Sequence, residues 1–141
     1  YRLRISLSKS GEMKVSRQIL APLSPSFCKA KLCLLEVDLN QSFTYFKTTY
    51  RPHLTVDEQE IIYHNAAGEL LETSIGNLVL KIAGKLYTPP IRLGILPGIY
   101  RQHLLESGQV EEKVLTLADL NQAETIYGCN AVRGLYELEV I

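Results

Sequence analysis

The alternation of polar and apolar positions at the start of the chain predicts a β-hairpin. Residues Arg2–Leu7 alternate with the period of two that a half-buried strand requires. A Ser-Lys-Ser-Gly turn at 8–11 leads into a second predicted strand at Val15–Leu20. Prolines and serines then cluster at Pro22–Ser26. We therefore expect residues 1–22 to be the last strands of an upstream domain, 23–29 to be a linker, and 30–141 to form a larger domain.

Strand patterns dominate the larger domain, with short helices between them, which indicates an α+β protein. Turn signatures at 65–68 and 83–84 each lie between two apolar runs and predict two further hairpins. The clearest helix is Gly98–Ser107, with Gly108 as its C-terminal cap. The other predicted strands or extended segments are Lys31–Val37, Phe43–Lys47, Ile61–Tyr63, Leu70–Glu72, Asn77–Ile82, Lys85–Tyr87, Val110–Val114, Ile126–Asn130 and Leu135–Ile141, and shorter helices are predicted at Arg51–Gln59 and Leu117–Leu120.

Composition narrows the choice of partners. The 141 residues are 46% hydrophobic, and 15 basic residues balance 15 acidic ones, so no basic excess points to nucleic acid or an anionic membrane. No apolar run is long enough to span a bilayer. Three cysteines without a CxxC pair indicate reduced thiols in a cytoplasmic protein. The histidines and cysteines do not cluster in the sequence, so we expect no metal site. Because the first residue is Tyr1, we expect a piece of a longer protein.

Four local strings, taken in order, carry a resemblance to a known family. They are Phe46-Lys47-Thr48-Thr49-Tyr50-Arg51, Leu71-Glu72-Thr73-Ser74-Ile75-Gly76-Asn77-Leu78, Tyr87-Thr88-Pro89-Pro90 with Gly94-Ile95-Leu96-Pro97-Gly98-Ile99-Tyr100-Arg101, and Cys129-Asn130-Ala131-Val132-Arg133-Gly134. Together they resemble the class IV aminotransferases, the pyridoxal-phosphate enzymes of fold type IV. The resemblance implies that residues 30–141 are the cofactor-binding large domain of the D-amino-acid-aminotransferase-like fold, a twisted barrel-like sheet with short helices.

Lys47 is the candidate catalytic residue. Pyridoxal chemistry needs an amine that holds the cofactor as a Schiff base and moves protons, and burial lowers the pKa of a lysine that does this. Lys47 follows three aromatic residues within five positions, which suits a buried setting. A surface lysine lying over aromatic side chains would give the same pattern. The resemblance maps the family's Schiff-base lysine onto Lys47.

The other candidates bind the cofactor. Glu72 matches the family's carboxylate beside the pyridine nitrogen, where an opposite charge keeps the ring protonated. A plain strand glutamate is the alternative. The start of the predicted helix at Gly98, Ile99 and Tyr100 offers free N–H groups for the phosphate. The resemblance adds Asn130 as a polar phosphate contact, and Asn77, Arg51 and Arg133 as secondary candidates, with structural roles as the alternatives.

The resemblance implies an activity as well as a cofactor. The strings are most similar to the aminodeoxychorismate lyases, which form 4-aminobenzoate and pyruvate for folate synthesis. The Lys-Thr-Thr and Val-Arg-Gly strings look like a form fused behind component I of para-aminobenzoate synthase, with a glutaminase partner. Alternatives are an amino-acid transaminase of the same class and a non-catalytic docking domain. We expect a homodimer. We also expect these 141 residues alone to bind cofactor weakly and to lack activity, because the family's small domain supplies further site residues.

Overall fold

A closed, barrel-like sheet forms the centre of the computed structural model, which describes residues 1–22, 28–35, 42–48, 50, 54 and 59–141. Six strands of the described chain close the ring, in the order β5–β4–β3–β10–β9–β6 with β5 pairing back onto β6. Their bounds are β3 Lys29–Leu34, β4 Glu60–His64, β5 Leu70–Thr73, β6 Asn77–Ile82, β9 Thr125–Asn130 and β10 Gly134–Val140. The strand β3 runs parallel to β4 and β10, and the other neighbours are antiparallel.

Shorter elements extend the sheet and cover its ends. Strands β7 Lys85–Thr88 and β8 Glu111–Glu112 continue outward from β6. The helices are α1 Ser42–Tyr45, α2 Ile99–Glu106 and α3 Leu117–Gln122, with a 3-10 turn at Ile91–Leu93. The predicted α+β class and the barrel-like sheet are therefore confirmed.

The core lies inside the barrel and beneath α2. Strands β4 and β5 are buried along almost their whole length, as expected where both faces of a sheet are covered. The interior cluster is aliphatic and contains Ile62, Leu70, Leu78, Leu80 and Leu115. A second cluster joins α2 to the outside of β6 and β9 through Val79, Leu104, Val110 and Cys129. These two clusters hold β5, β6 and the start of α2 in fixed relation to one another.

The N-terminal hairpin forms a separate two-stranded sheet. Strands β1 Arg2–Leu7 and β2 Met13–Gln18 pair in antiparallel register around Ser8–Gly11. The hairpin is confirmed, but the half-burial predicted from its alternation is wrong, because large apolar side chains on both strands are exposed: Leu3, Ile5, Leu7, Met13 and Val15. Alternation shows which face of a strand can be buried, but it does not show which other part of the protein covers that face.

One other prediction about local structure is wrong, and one is confirmed only in part. Residues 42–45 form a helical turn, and Lys47 follows outside any strand or helix, so Phe43–Lys47 is not extended. The predicted strand Val110–Val114 is reduced to Glu111–Glu112. The predicted helix Arg51–Gln59 and most of the linker lie outside the described residues. No helix in the part of the chain that the structure describes is long and apolar enough to cross a membrane.

Candidate functional site

A cavity of about 120 Å³ opens where β5, β6, β9 and the start of α2 meet. Complete ligand pockets usually measure roughly 300–1,000 Å³, so this cavity accommodates one edge of a cofactor and not a cofactor with its substrate. It brings together six predicted site residues from four separate parts of the sequence: Lys47, Glu72, Asn77, Gly98, Ile99 and Asn130. The cavity is lined by Lys47, Glu72, Ile75, Gly76, Asn77, Leu96, Gly98, Ile99, Cys129, Asn130 and Ala131.

Glu72 is the acidic group of the cavity. It stands on β5 opposite Asn77 of β6, where the two strands close the barrel. Its side chain is only 3% exposed, and the backbone N–H of Leu96 donates a hydrogen bond of 3.3 Å to its Oε2. Glu72 is thus a buried carboxylate in the lining of the cavity, and an opposite charge close to it would be stabilised.

Asn77 fixes the segment that leads into α2. Its side-chain Nδ2 donates a hydrogen bond of 2.8 Å to the carbonyl of Leu96. A Cβ added at Gly98 would lie 2.1 Å from Asn77 Oδ1, so the backbone passes this side chain more closely than any other residue would allow. The close approach explains the glycine at this position. Asn77 lines the cavity and also positions the start of α2.

The N-terminus of α2 supplies hydrogen-bond donors at the cavity. Gly98 is the N-cap in an extended conformation and has no side chain to satisfy the first N–H groups of the eight-residue helix. Ile99 lines the cavity and is 74% exposed. The tyrosyl ring of Tyr100 lies instead beside Gly134, within 3.4 Å of the position of an added Cβ. Tyr100, which the sequence predicted at the site, is not among the residues that line the cavity.

Asn130 lies at the cavity but uses its carbonyl oxygen locally. Its Oδ1 accepts hydrogen bonds from the backbone N–H groups of Val132 (3.0 Å) and Arg133 (2.9 Å), which closes the turn between β9 and β10. The guanidinium of Arg133 donates to the carbonyl of Ala21 and is not among the cavity-lining groups. The structure thus brings Asn130 to the site and gives Arg133 a structural contact. Arg51 lies outside the described residues.

Lys47 lines the cavity and is exposed. The preceding Phe46 is 65% exposed as well. The expectation of a buried lysine is therefore wrong, because Lys47 follows the single helical turn of α1, outside any strand or helix that would cover it.

Two further residues lie at or near the cavity: Cys129, which the sequence did not single out for chemistry, and Arg101, a weaker candidate from the same strings. Cys129 lines the cavity, and burial raises the pKa of its thiol to about 11, so the thiol is neutral. Arg101 is 4% exposed, donates 2.7 Å to the carbonyl of Pro89, and forms an ion pair with Glu112. Arg101 therefore secures α2 to β8 and does not face a ligand. The sequence did offer one indication that Cys129 lies at the cavity, because it precedes Asn130 in the fourth string.

The donor set fits pyridoxal phosphate. The cradle at Gly98 offers uncapped backbone N–H groups suited to a phosphate, the buried Glu72 suits a protonated ring nitrogen, and Lys47 supplies an amine at the same cavity. These are chemically distinct requirements, and groups suited to all of them line or border one cavity.

Comparisons with known proteins agree with this geometry. The family model described as amino-transferase class IV matches residues 24–141. The aminodeoxychorismate lyase of Saccharomyces cerevisiae is 26% identical over 95% of this chain and 50% of its own length. A protein of Thermotoga maritima assigned as a branched-chain-amino-acid aminotransferase is 32% identical over 57% of this chain and 31% of its own length.

Solved structures show the same fold. The crystal structure of a protein from Mesorhizobium loti assigned as an amino-acid aminotransferase superposes with a TM-score of 0.84 at 28% identity, covering 99% of this chain and 72% of that one. The chain spans about half the length of its curated lyase relative. Since the family model covers most of the chain and the barrel matches throughout, the chain belongs to the class IV aminotransferase family, whose members depend on pyridoxal phosphate.

Proposed function

We propose that this chain forms the cofactor-binding wall of a pyridoxal-phosphate enzyme. The observation that carries the proposal is the convergence of a buried carboxylate, an uncapped helix N-terminus and a lysine on one cavity. Each group is common by itself. Their meeting at the closure of the barrel is what supports a cofactor site.

Each residue has a distinct task in this proposal. When bound, the cofactor supplies an electron sink for a carbanion at the substrate. Glu72 keeps a proton on the ring nitrogen through its opposite charge. The N–H groups of Ile99 and Tyr100, with Asn130, hold the phosphate. Lys47 attaches the cofactor through Nζ and moves the substrate proton, which requires a side chain that can reach into the cavity from outside.

The activity we propose is 4-amino-4-deoxychorismate lysis, giving 4-aminobenzoate and pyruvate. The yeast lyase supports this choice, because its similarity extends along nearly the whole chain. The Lys47-Thr48-Thr49 and Val132-Arg133-Gly134 strings further support a form fused to component I of para-aminobenzoate synthase.

A class IV amino-acid transaminase is the second candidate. The Mesorhizobium and Thermotoga proteins favour it, since both are assigned as aminotransferases and the first matches the fold closely. The proposed cofactor residues would be shared, so the two activities differ in how the substrate is recognised.

Attachment of the cofactor tests the site. The full chain is incubated with excess pyridoxal phosphate, reduced with borohydride and mapped by peptide mass spectrometry. We expect a pyridoxyl adduct on Lys47 that disappears in Lys47→Arg. The adduct should persist in the control Lys81→Arg, because Lys81 lies on β6 and pairs with Glu124. An adduct on Lys81 or Lys85 in place of Lys47 would overturn the proposed site.

Product analysis separates the two activities. Release of pyruvate and 4-aminobenzoate from aminodeoxychorismate supports the lyase, whereas exchange of an amino group between an amino acid and a keto acid supports the transaminase. Cofactor attachment without either reaction would favour the docking-domain alternative.

We also propose a homodimer in the cytoplasm, with residues 1–22 as the end of a small domain. The apolar side chains of Ile99 and Val132 are exposed near the cavity, as expected if a second copy covers them. The three free cysteines fit a reducing compartment. The separate sheet of β1 and β2 supports the domain boundary. Sedimentation at several concentrations tests the dimer, and proteolysis between residues 19 and 29 tests the boundary. A monomer at all concentrations, or cleavage only elsewhere, would contradict these proposals.

A further inference from the structure

A buried acid, Glu60, lies outside the set of residues that line the cavity. Glu60, at the start of β4, is 1% exposed, and its Oε1 accepts a hydrogen bond of 2.9 Å from the hydroxyl of Tyr136 on β10. Its other oxygen, Oε2, has no hydrogen-bond partner among the described residues. Burial raises the pKa of Glu60, although the neighbouring hydroxyl groups of Thr73 and Tyr136 oppose that change.

Stability alone explains this pair poorly. Tyr136 belongs to the interior cluster with Ile62 and Leu78, where aliphatic residues of similar volume would avoid the cost of burying a carboxyl group. Incompletely satisfied buried polar groups in a native core call for a specific explanation. One such explanation is that the pair specifies the geometry of something nearby.

The side chain of Tyr136 packs against two glycines, one of which lines the cavity. A Cβ added at Gly128, its cross-strand neighbour, would lie 2.6 Å from the tyrosyl ring. A Cβ added at Gly76 would lie 3.2 Å from the hydroxyl and 2.6 Å from the carbonyl oxygen of Cys129. Gly76 and Cys129 both line the cavity. The two glycines therefore leave room for the ring of Tyr136, whose hydroxyl lies close to the cavity-lining residue Gly76.

The hydroxyl ends beside a tightly bonded turn, residues 73–76. The N–H of Thr73 donates to the carbonyl of Gly76 at 2.9 Å, and the N–H of Gly76 donates to Thr73 Oγ1 at 3.0 Å. The N–H of Ser74 donates 2.9 Å to the carbonyl of Ile61 on β4. The ends of this turn carry Glu72 and Asn77, the acidic and amide groups of the cavity.

We propose that the Tyr136–Glu60 hydrogen bond is a positioning element for Glu72. It holds turn 73–76 against β4, so the carboxylate of Glu72 stays directed into the cavity. Successive strand residues face opposite sides, which is why Thr73 can meet the buried pair while Glu72 faces the cofactor. Tyr136 and Glu60 are thus positioning residues, and the inference rests on the proposed function because Glu72 matters only if a ring nitrogen lies beside it.

The test compares Tyr136→Phe with Glu60→Gln in the full chain. Phenylalanine keeps the ring and removes the donor, whereas glutamine keeps an acceptor for Tyr136. We expect Tyr136→Phe to lower kcat about tenfold with KM within about twofold, and to change the visible circular dichroism of bound pyridoxal phosphate. Glu60→Gln should retain both signals. Tyr127→Phe, on the neighbouring strand β9, is the matched control and should resemble wild type.

Hydrogen exchange provides a readout that needs no cofactor. The Gly76 amide should exchange about tenfold faster in Tyr136→Phe than in wild type or Tyr127→Phe. If Tyr136→Phe folds poorly, Tyr136→Phe with Glu60→Leu replaces both polar partners and restores packing. A stable double variant with low kcat supports the inference, and one with wild-type kcat overturns it.

The outcomes distinguish this inference from the proposed function. Wild-type protein that shows no absorbance from bound pyridoxal phosphate overturns both. Wild-type binding with unchanged circular dichroism, kcat and exchange in Tyr136→Phe overturns the positioning role alone. An equal loss in well-folded Glu60→Gln also overturns it, since that result would implicate the charge of Glu60 and not the hydrogen bond.

Discussion

The residues that line the cavity come from two differently built regions, the barrel side with Glu72 and Asn77 and the exposed side with Lys47. On the barrel side, Glu72 and Asn77 are buried and hydrogen-bonded to the segment that enters α2. On the exposed side, Lys47 follows a single helical turn. The groups proposed to orient a cofactor are thus fixed by the fold, whereas the group proposed to react with it is placed at the surface of the described chain. Substitutions on the two sides should therefore separate activity from stability.

The largest effect on activity is expected at the exposed side. Lys47→Ala should reduce turnover by roughly a thousandfold or more, because the amine that attaches the cofactor is lost. Its melting temperature should stay within experimental error of wild type, since exposed side chains contribute little to folding. Paired turnover and melting measurements check both parts. A large drop in melting temperature would mean that Lys47 is a structural residue.

Glu72→Gln should act on the barrel side without preventing cofactor binding. The neutral amide fills the same space but no longer keeps a proton on the ring nitrogen, so the barrier should rise by several kcal/mol, each ~1.4 kcal/mol being tenfold. Absorbance titration with pyridoxal phosphate and steady-state turnover are the measurements. Full activity in this variant would refute the electron-sink role of Glu72.

Gly98→Ala should disturb the barrel side by crowding. The new methyl group would lie 2.1 Å from Asn77 Oδ1, so the protein should lose roughly 1–3 kcal/mol of unfolding free energy and some affinity for the cofactor. Denaturant unfolding measures the loss.

Asn77→Ala is the matched background for that experiment. Removing the obstructing side chain should make the added Gly98→Ala change less destabilising than it is in wild type. An undiminished penalty would show that the strain lies in the backbone and not against Asn77.

The smallest effect is expected at α3, away from the cavity. Thr116 and Asp119 form a reciprocal capping box at the start of this helix. Partial burial raises the pKa of Asp119, but hydrogen bonds from Lys113 and Thr116 outweigh it, and the net shift is downward. Asp119→Asn should therefore cost about 1 kcal/mol at neutral pH.

The pH dependence of that difference has a definite sign. A depressed pKa in the folded protein stabilises it above the unfolded pKa, and the gain is lost as pH falls through the folded value. Unfolding measured from neutral to acidic pH should show wild type and Asp119→Asn converging at low pH. Cofactor attachment to Lys47 should be unchanged, and altered attachment would mean that the two regions are coupled.

Local pattern predicted many of the elements. The hairpins around 65–68 and 83–84 and the helix after Gly98 follow from turn residues and caps acting over a few positions. The segment 42–47 was predicted wrongly because aromatic residues favour strands in general, while the fold places a helical turn there. Side-chain contacts between separate segments could not be predicted from local pattern either: Arg101 donates to the carbonyl of Pro89 and Arg133 to that of Ala21.

Residue types and short spacings can be read directly from the chain, so the family resemblance, the order of the strings and the chemistry of the candidate groups followed from the sequence. Only the folded structure shows that Glu72 faces Asn77, that Lys47 is exposed and that Tyr136 reaches Glu60 beside two glycines. The Tyr136–Glu60 hydrogen bond joins strands that are far apart in the sequence. It depends on the closure of the barrel, and no local periodicity encodes that closure.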